Sequence, residues 1–144
     1  MGYATQNSGL LLGLGVSSIS DTGDAFAQNE KALADYYTRI NSGILAVKKG
    51  YFLNEEDLAF RKYILDVSCK GETRFKAEHL PKLMAYTFPI LADLAKDGLL
   101  TWDTTGMKLT TQGHYFIRNV CSAFDLHLRK GKNTDEKPIF SKAI

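Results

Sequence analysis

The chain opens with an apolar run and then changes to helical patterning, so its hydrophobic positions predict both strands and helices. Residues 10–20 are mostly apolar with interspersed glycines, and they end in Ser17-Ser18-Ile19-Ser20. Because glycine lets another backbone or a ligand come close, this pattern predicts a buried strand followed by a loop. Residues 21–24 predict a turn. A buried strand needs neighbours and little sequence precedes this one, so we expect the tail of a larger protein.

Helical spacing marks the next segment. Asn29 can cap a helix over residues 30–42, and Gly43 marks its end. The apolar side of this helix would consist of Leu33, Tyr36, Tyr37 and Ile40. Residues 44–52 alternate imperfectly between apolar and polar positions, which predicts a short extended segment. Lys48-Lys49-Gly50 would interrupt that segment, so we expect a domain boundary near its end.

A compact helical unit is predicted from Asn54 onward. Asn54 and Asp57 resemble a capping box, in which each residue's side chain bonds the other's backbone amide. The helix that they open would run to about Cys69, with Arg61 and Lys62 partly outside. Its expected buried residues are Leu58, Phe60, Ile64 and Leu65.

The remaining pattern predicts the elements of a winged helix in their usual order. After a short strand at residues 73–75, residues 80–88 predict a helix. Pro89 lacks an amide donor, so it would open a new helix that ends at Gly98. Residues 99–102 and 107–109 predict a hairpin, and Thr110 would cap the last helix. The apolar residues of that helix are Tyr115, Phe116, Ile117, Val120, Cys121 and Phe124.

These elements define an α+β chain with three parts. Residues 1–52 predict a strand and a helix left from a larger domain, and residues 53–128 predict a winged-helix-like domain. Residues 129–144 contain five cations against two carboxylates, which predicts a basic flexible tail with an apolar end. A length of 144 residues with 44% hydrophobic residues is enough to bury one core of ordinary domain size.

Composition excludes several functions. A net charge of +2 gives no argument for nucleic acid or an anionic membrane, and no apolar run is long enough for a membrane span. The would-be recognition helix carries Asp93 and Asp97 against Lys96 and offers no base-reading side chain. The chain also lacks a secretory signal, so we expect a cytoplasmic protein without nucleic-acid or membrane partners.

The residues with catalytic or metal-binding chemistry do not form a motif. Cys69 and Cys121 are far apart in the sequence; they could ligate a metal or form a disulfide, but two buried thiols are expected. The histidines His79, His114 and His127 have no metal-ligand spacing. The serines of residues 17–20 have no nearby histidine to activate them. The sequence therefore predicts neither a metal site nor catalytic residues within this chain.

Short motifs in collinear order carry a resemblance that spans nearly the whole chain. They are Gly2-Tyr3-Ala4-Thr5-Gln6, Gly13-Leu14-Gly15-Val16-Ser17-Ser18-Ile19-Ser20, Ala27-Gln28-Asn29, Tyr36-Tyr37, Arg61, Cys69, residues 94–99, residues 117–121, Phe124-Asp125 and residues 140–144. Together they resemble the C-terminal portion of the oxygen-independent coproporphyrinogen III oxidases (dehydrogenases), which are radical S-adenosylmethionine enzymes of haem synthesis. Haem-chaperone paralogues usually have a Gly-Ala-His-like segment in place of Ser17-Ser18-Ile19-Ser20.

The resemblance implies a function for the whole parent protein. That parent would oxidatively decarboxylate two propionates of coproporphyrinogen III to vinyl groups, with a [4Fe-4S] cluster and S-adenosylmethionine as cofactors. By resemblance, Ile19 matches a residue that contacts S-adenosylmethionine. The cluster motif Cys-x3-Cys-x2-Cys is absent from this chain. We therefore expect the chain alone to be inactive and to need the radical-SAM barrel of its parent as partner.

Other interpretations stay open at this point. One is a non-catalytic interaction domain of winged-helix type, and another is a haem-chaperone paralogue. An exposed strand edge at residues 1–20 would also invite pairing with a second copy, so we expect a homodimer through that edge.

Overall fold

The computed structural model describes residues 9–130, and side chains as far as residue 128. It contains two compact units, within Met1–Ala59 and Phe60–Ile144, called here the N-terminal and C-terminal units. The predicted mixture of helices and strands is confirmed. The division between the units falls inside a helix, a few residues beyond the boundary expected near residue 52. No helix in the described range is long and apolar enough to cross a membrane.

The N-terminal unit contains an antiparallel sheet and one helix. Its strands are β1 (Ile19–Asp21), β2 (Ala25–Asn29) and β3 (Val47–Phe52), in the order β1-β2-β3. Helix α1 (Leu33–Asn41) connects β2 to β3. The turn predicted at residues 21–24 joins β1 to β2, where Gly23 Nα donates to Asp21 Oδ1 at 2.9 Å.

The prediction of a buried strand at residues 10–20 is wrong. Leu11 and Asp21 exchange both backbone hydrogen bonds, at 2.7 and 2.8 Å, so the segment between them closes into a loop. Gly15 and Ser17 have φ angles of 97° and 60°, which no regular strand contains. The apolar side chains of this loop are exposed, and Leu14 is 90% accessible. The apolar run therefore describes a surface loop, and only its last residues enter the sheet.

Two further predictions in the N-terminal unit need correction. Asn29 does not cap a helix, because it ends β2 and Ala32 occupies the N-cap position of α1. Its position in the sheet directs its amide back to the preceding loop. Lys48-Lys49-Gly50 do not interrupt the extended segment, since they lie inside β3. Hydrogen bonding to β2 holds these residues in the strand despite their low strand propensity.

The C-terminal unit is built around a second antiparallel sheet. The sheet contains β4 (Glu72–Arg74), β5 (Leu100–Trp102) and β6 (Gly106–Leu109), in the order β4-β6-β5. Helix α2 (Glu55–Lys70) leads into β4, and the predicted hairpin is confirmed as β5 and β6. The other helical segments are a 3₁₀ turn (Ala77–His79), α3 (Leu80–Lys82), a π-helical turn (Leu83–Thr87), α4 (Phe88–Lys96), a 3₁₀ turn (Gly113–Phe116), α5 (Ile117–Ser122) and α6 (Leu126–Lys130).

The predicted capping box at the start of α2 is confirmed. Asn54 Nα donates to Asp57 Oδ2 at 3.1 Å, and Asp57 Nα donates to Asn54 Oδ1 at 2.9 Å. The buried side of the helix differs from the prediction, because Phe60, Tyr63 and Val67 are buried while Leu58 and Leu65 are exposed. Residues 60, 63 and 67 recur at one-turn and two-turn spacing and share one face, whereas residues 58 and 65 lie on another.

Pro89 lies in the first turn of a new α-helix, as predicted, but no break separates that helix from the helical segments before it. It lies at the beginning of α4, directly after the π-helical turn, within helical segments that follow one another from Leu80 to Lys96. A π turn relaxes the hydrogen-bond ladder where proline supplies no amide donor. Thr110 does cap the 3₁₀ turn that begins at Gly113, because its Oγ1 accepts a hydrogen bond from Gly113 Nα at 3.0 Å.

The core of the C-terminal unit contains several aromatic rings in contact. Phe75 lies between Phe88 and Phe124, at ring-centroid distances of 5.4 and 6.2 Å. Val120 and Phe124 are buried as predicted, while Phe116 is half exposed. The expectation of two buried thiols is wrong for Cys69, which is exposed at the end of α2. Helix α6 extends to Lys130, and the rest of the predicted tail, residues 131–144, lies outside the described range.

Candidate functional site

An open groove lies on one face of the β1-β2-β3 sheet. Ile19 pairs with Gln28, Gln28 with Lys49, and Phe26 with Tyr51. Directly paired residues project to the same side of a sheet, as do residues two apart on one strand. The groove encloses about 590 Å³ and is lined by Ile19, Phe26, Ala27, Gln28, Lys49, Gly50 and Tyr51. Its surface is mainly apolar, with polar groups at a few positions.

The loop before β1 is held in a specific conformation by Asn29. The Asn29 amide Nδ2 donates to the carbonyls of Gly13 and Gly15, at 3.2 and 3.0 Å, and approaches Ser18 Oγ at 3.0 Å. Ser18 Oγ in turn donates to the Gly15 carbonyl at 2.6 Å. A single side chain at the end of β2 therefore connects both glycines to the serine that precedes Ile19.

Gly13 is needed where the loop passes closest to β1. A Cβ atom at residue 13 would lie 2.7 Å from the carbonyl oxygen of Ile19, well inside van der Waals contact. Gly13 Nα also donates to Ser20 Oγ at 3.0 Å. The glycine thus allows the loop backbone to lie directly on the strand residue that lines the groove.

Residues at the end of β2 and on α1 also form hydrogen bonds with the loop before β1. Tyr36 Oη accepts from Gly15 Nα at 3.2 Å, and the Glu30 carbonyl accepts from Ser17 Nα at 2.8 Å. The Glu30 carboxylate is buried and lies 3.1 Å from Arg39 Nε and 3.4 Å from Lys48 Nζ. Opposite charges on both sides satisfy this buried carboxylate, which fixes the junction between the sheet and α1.

The groove margin contains a hydrogen-bonded tyrosine. Tyr51 Oη donates to Asp57 Oδ2 at 2.7 Å, so the carboxylate of the capping box also positions this ring. The hydrogen bond to Asp57 is the main cause that raises the pKa of Tyr51, with smaller contributions from burial and from the negative charge. Tyr51 therefore stays protonated across the physiological range, as a neutral donor.

The cysteines and histidines do not form a site. Among the described residues, no group of three or more His, Cys, Asp or Glu side chains could hold a metal. His79 Nδ1 lies 2.7 Å from Tyr63 Oη in the aromatic core. Burial, and to a smaller extent the charge of Cys69, raise the pKa of the Cys121 thiol to about 11. Two cysteine thiols do not provide the grouped ligands that an iron–sulfur cluster needs.

Of the groove residues, only Ile19 was singled out from the sequence, by resemblance, and its role as a cofactor contact stays a prediction. Ile19 lies in β1 and lines the groove, where a ligand can reach it. Phe26, Gln28, Lys49 and Tyr51 were missed because they belong to strands that pair only in the folded chain. Asn29 was assigned to a helix cap. The glycine-rich loop before β1 could have indicated the role of Asn29, because the carbonyl groups of an irregular loop need hydrogen-bond donors.

A solved structure is similar in fold to this chain. The chain aligns with a structure titled "Coproporphyrinogen III oxidase (HemN) from Escherichia coli is a Radical SAM enzyme", at a TM-score of 0.75 and 36% identity. The match covers 88% of this chain and 31% of the solved chain. The fold is therefore that of part of a radical-SAM enzyme.

The sequence relatives give the particular protein class. The chain is 37% identical to the oxygen-independent coproporphyrinogen III oxidase of Escherichia coli, over 99% of this chain and 32% of that protein. Oxidases of the same name from Pseudomonas aeruginosa and a Synechocystis strain are 34% and 32% identical, over 88% and 99% of this chain. The resemblance seen in the sequence is thus confirmed: the chain is related to the oxygen-independent coproporphyrinogen III oxidases.

The relationship covers only a part of those proteins. The chain spans about a third of the length of the relatives it matches. No protein-family model matches it.

Proposed function

We propose that this chain is the C-terminal portion of an oxygen-independent coproporphyrinogen III oxidase. The whole protein would oxidatively decarboxylate two propionates of coproporphyrinogen III to give protoporphyrinogen IX, in the cytoplasm. The observation that carries the proposal is the groove beside Ile19 and its glycine loop, in a chain similar to these oxidases over nearly its full length. The chain's own contribution would be a binding surface and a covering domain.

Residues 1–52 would form part of the wall of the catalytic barrel. S-adenosylmethionine, when bound, supplies the radical that starts such a reaction. The groove suits a ligand with apolar and polar parts, because Ile19 and Phe26 lie beside Gln28 and Lys49. Ile19 would contact the cofactor, and Asn29 would keep the backbone before Ile19 in place.

The [4Fe-4S] cluster would be held by the rest of the protein. Cys121 is a partly buried, protonated thiol and Cys69 lies at the surface, so this chain does not supply a ligand set. We therefore propose that the chain alone is inactive.

Residues 53–128 would act as a winged-helix-like covering domain rather than as a nucleic-acid reader. The order of elements in the C-terminal unit, with the β5-β6 hairpin as wing, supports this interpretation. The cations of the would-be recognition helix and of the wing are paired with carboxylates: Lys96 Nζ lies 2.9 Å from Asp93, and Lys108 Nζ lies 3.1 Å from Glu72. Phosphate binding needs cations whose charge is available to the backbone of the nucleic acid.

The function can be tested with a chimera. The third of the Escherichia coli oxidase that matches this chain would be replaced by the chain, and protoporphyrinogen IX formation would be assayed without oxygen. We expect measurable product from the chimera and none from the chain alone. A chimera with Gly13→Val should lose most of its activity, because the added side chain would collide with the Ile19 backbone. A folded chimera that retains its cluster but makes no product would contradict the proposal.

The exposed loop also bears on association. Leu10, Leu11, Leu12 and Leu14 are all more than half exposed in the chain by itself. The rest of the parent protein would cover them, and in its absence we propose pairing of the isolated chain through residues 1–20. Sedimentation should then show a dimer for the chain and a monomer for a variant that begins at Ile44. Two monomers would contradict the dimer.

A further inference from the structure

The two adjacent lysines of β3 have different surroundings. Lys48 Nζ lies 3.4 Å from the buried Glu30 carboxylate, so its charge is already balanced. Lys49 lies opposite Gln28 in the sheet and lines the groove. No hydrogen bond or ion pair joins Lys49 to a carboxylate within the part of the chain that the structure describes. One lysine therefore belongs to the scaffold, and the other lines the groove without a carboxylate partner among the described residues.

The neighbouring carboxylates are held by other groups. Asp57 accepts from Tyr51 Oη at 2.7 Å and from Asn54 Nα at 3.1 Å. Asp21, which pairs with Phe26, accepts from Gly23 Nα at 2.9 Å. These bonds position both carboxylates for turn and helix capping. The Lys49 ammonium is consequently the available charge at an otherwise apolar surface.

We propose that Lys49 binds the carboxylate of a ligand whose ring system or apolar part lies against Ile19, Phe26 and Tyr51. The aromatic side chains match a flat or apolar body, and Gln28 adds a neutral donor and acceptor beside the ammonium. This inference rests on the proposed function. In that setting the carboxylate has two sources, the amino-acid part of S-adenosylmethionine and a propionate of the tetrapyrrole.

The test is a binding measurement on the 144-residue chain. Uniformly ¹⁵N-labelled protein is titrated separately with S-adenosylmethionine and with coproporphyrin III, and amide shifts of the groove residues are followed by NMR. The two titrations distinguish the sources of the carboxylate. Wild type is compared with Lys49→Gln, with Lys49→Arg, and with Lys31→Gln, which removes the same charge from an exposed position outside the groove.

We expect one of the two ligands to shift the amides of β1, β2 and β3. Lys49→Gln should weaken that binding about tenfold, the usual effect of losing a charge-assisted hydrogen bond. Lys49→Arg should restore most of the affinity, and Lys31→Gln should leave it unchanged. The thermal midpoint should be the same for every variant, because Lys49 is exposed.

Several results would overturn the inference. They are the absence of groove shifts with both ligands in wild type, equal affinities for wild type and Lys49→Gln, failure of Lys49→Arg to restore binding, or equal weakening by Lys31→Gln. The proposed function is judged separately by product formation in the chimera. If the chimera is active but ligand binding does not depend on Lys49, only the role of the lysine is refuted. If the ligand binds in the groove but a chimera that contains its cluster is inactive, only the proposed function is refuted.

Discussion

The two units of this chain are stabilised in different ways. Between residues 9 and 59, the buried residues are Ala46 and Glu30, and the loop and sheet are held by backbone and side-chain hydrogen bonds. The C-terminal unit instead encloses aliphatic and aromatic side chains such as Val67, Leu91 and Phe124, which are inaccessible to solvent. Apolar burial supplies most of the free energy of folding. The comparison shows that the C-terminal unit contains its own core. The N-terminal unit is instead held by hydrogen bonds between polar groups, and most of its apolar side chains remain exposed.

The largest expected difference between the units comes from removing a phenylalanine. Phe124→Ala should destabilise the C-terminal unit by about 3–5 kcal/mol, because it leaves a cavity in a packed core. Phe52→Ala is the matched change in β3, where the ring is 83% exposed, and it should cost less than about 1 kcal/mol. Urea unfolding followed by Trp102 fluorescence reports the first change, because that ring lies 4.8 Å from Phe88. Equal effects of the two substitutions on the unfolding free energy would contradict the proposed difference in how the two units are stabilised.

A polar substitution should affect the N-terminal unit instead. Asn29→Ala leaves the Gly13 and Gly15 carbonyls without their amide donor, which should lower the free energy of local opening by about 1–3 kcal/mol. Hydrogen exchange of the Ser17 amide should accelerate accordingly, while exchange at Val67 stays unchanged. Asn41→Ala, at the exposed end of α1, is the control and should have little effect. Unchanged exchange at Ser17 in Asn29→Ala would show that the loop does not depend on this side chain.

A smaller effect is expected at the surface of the C-terminal unit. Desolvation alone would raise the pKa of Asp66, but the hydrogen bonds and charges of Lys70 and Lys62 outweigh it and lower the pKa. A carboxylate with a lowered pKa in the folded state stabilises above its unfolded pKa, and this contribution is lost as the pH falls through the folded pKa.

Asp66→Asn should therefore cost about 0.5 kcal/mol near neutral pH and nothing in strong acid. The free energy of unfolding as a function of pH checks this expectation. Asp93→Asn, in an exposed pair with Lys96, is the control and should cost less near neutral pH. A constant difference between wild type and Asp66→Asn at all pH values would contradict the assignment.

The smallest expected effect concerns a buried hydroxyl. Thr87 Oγ1 is fully buried and has no hydrogen-bond partner within the described structure. Thr87→Val keeps the shape and removes an unsatisfied polar atom, so it should be neutral or stabilise by less than about 0.5 kcal/mol. Thr73→Val is the control. Thr73 Oγ1 lies 3.4 Å from Asp66 Oδ2, so removing this hydroxyl should destabilise the protein. Thermal unfolding of both variants compares them, and clear destabilisation by Thr87→Val would mean that its hydroxyl makes a bond.

Local patterns predicted caps and hairpin turns better than they predicted the loop and sheet of the N-terminal unit. The capping box of Asn54 and Asp57 and the hairpin around Asp103 depend on residues close together in the sequence. Asp103 Oδ1 accepts from Gly106 Nα at 3.1 Å, and such short-range bonds follow from residue type and spacing. The buried face of α2 was predicted less well, since periodicity shows which residues share a side but not which side meets the core.

The N-terminal loop was predicted incorrectly for a related reason. An apolar run bounded by turn residues fits a buried strand, and the sequence contains no sign that residues 11 and 21 would pair and close a loop. The groove could not be predicted either, because its lining comes from three strands whose register is set by pairing. Ile19 was identified through resemblance, and its place beside Phe26, Gln28, Lys49 and Tyr51 became visible only in the structure.

By itself the sequence determined the mixture of helices and strands, the caps and turns, and the relationship to the coproporphyrinogen oxidases, because each of these depends on residue types at short spacing or in collinear order. The tertiary structure alone decided the roles of Asn29 and the two lysines of β3. Asn29 is as suitable for a helix cap as for bridging two carbonyls, and Lys48 and Lys49 are chemically identical. Only the paired strands place one lysine against Glu30 and the other in the groove, since adjacent residues of a strand project to opposite faces.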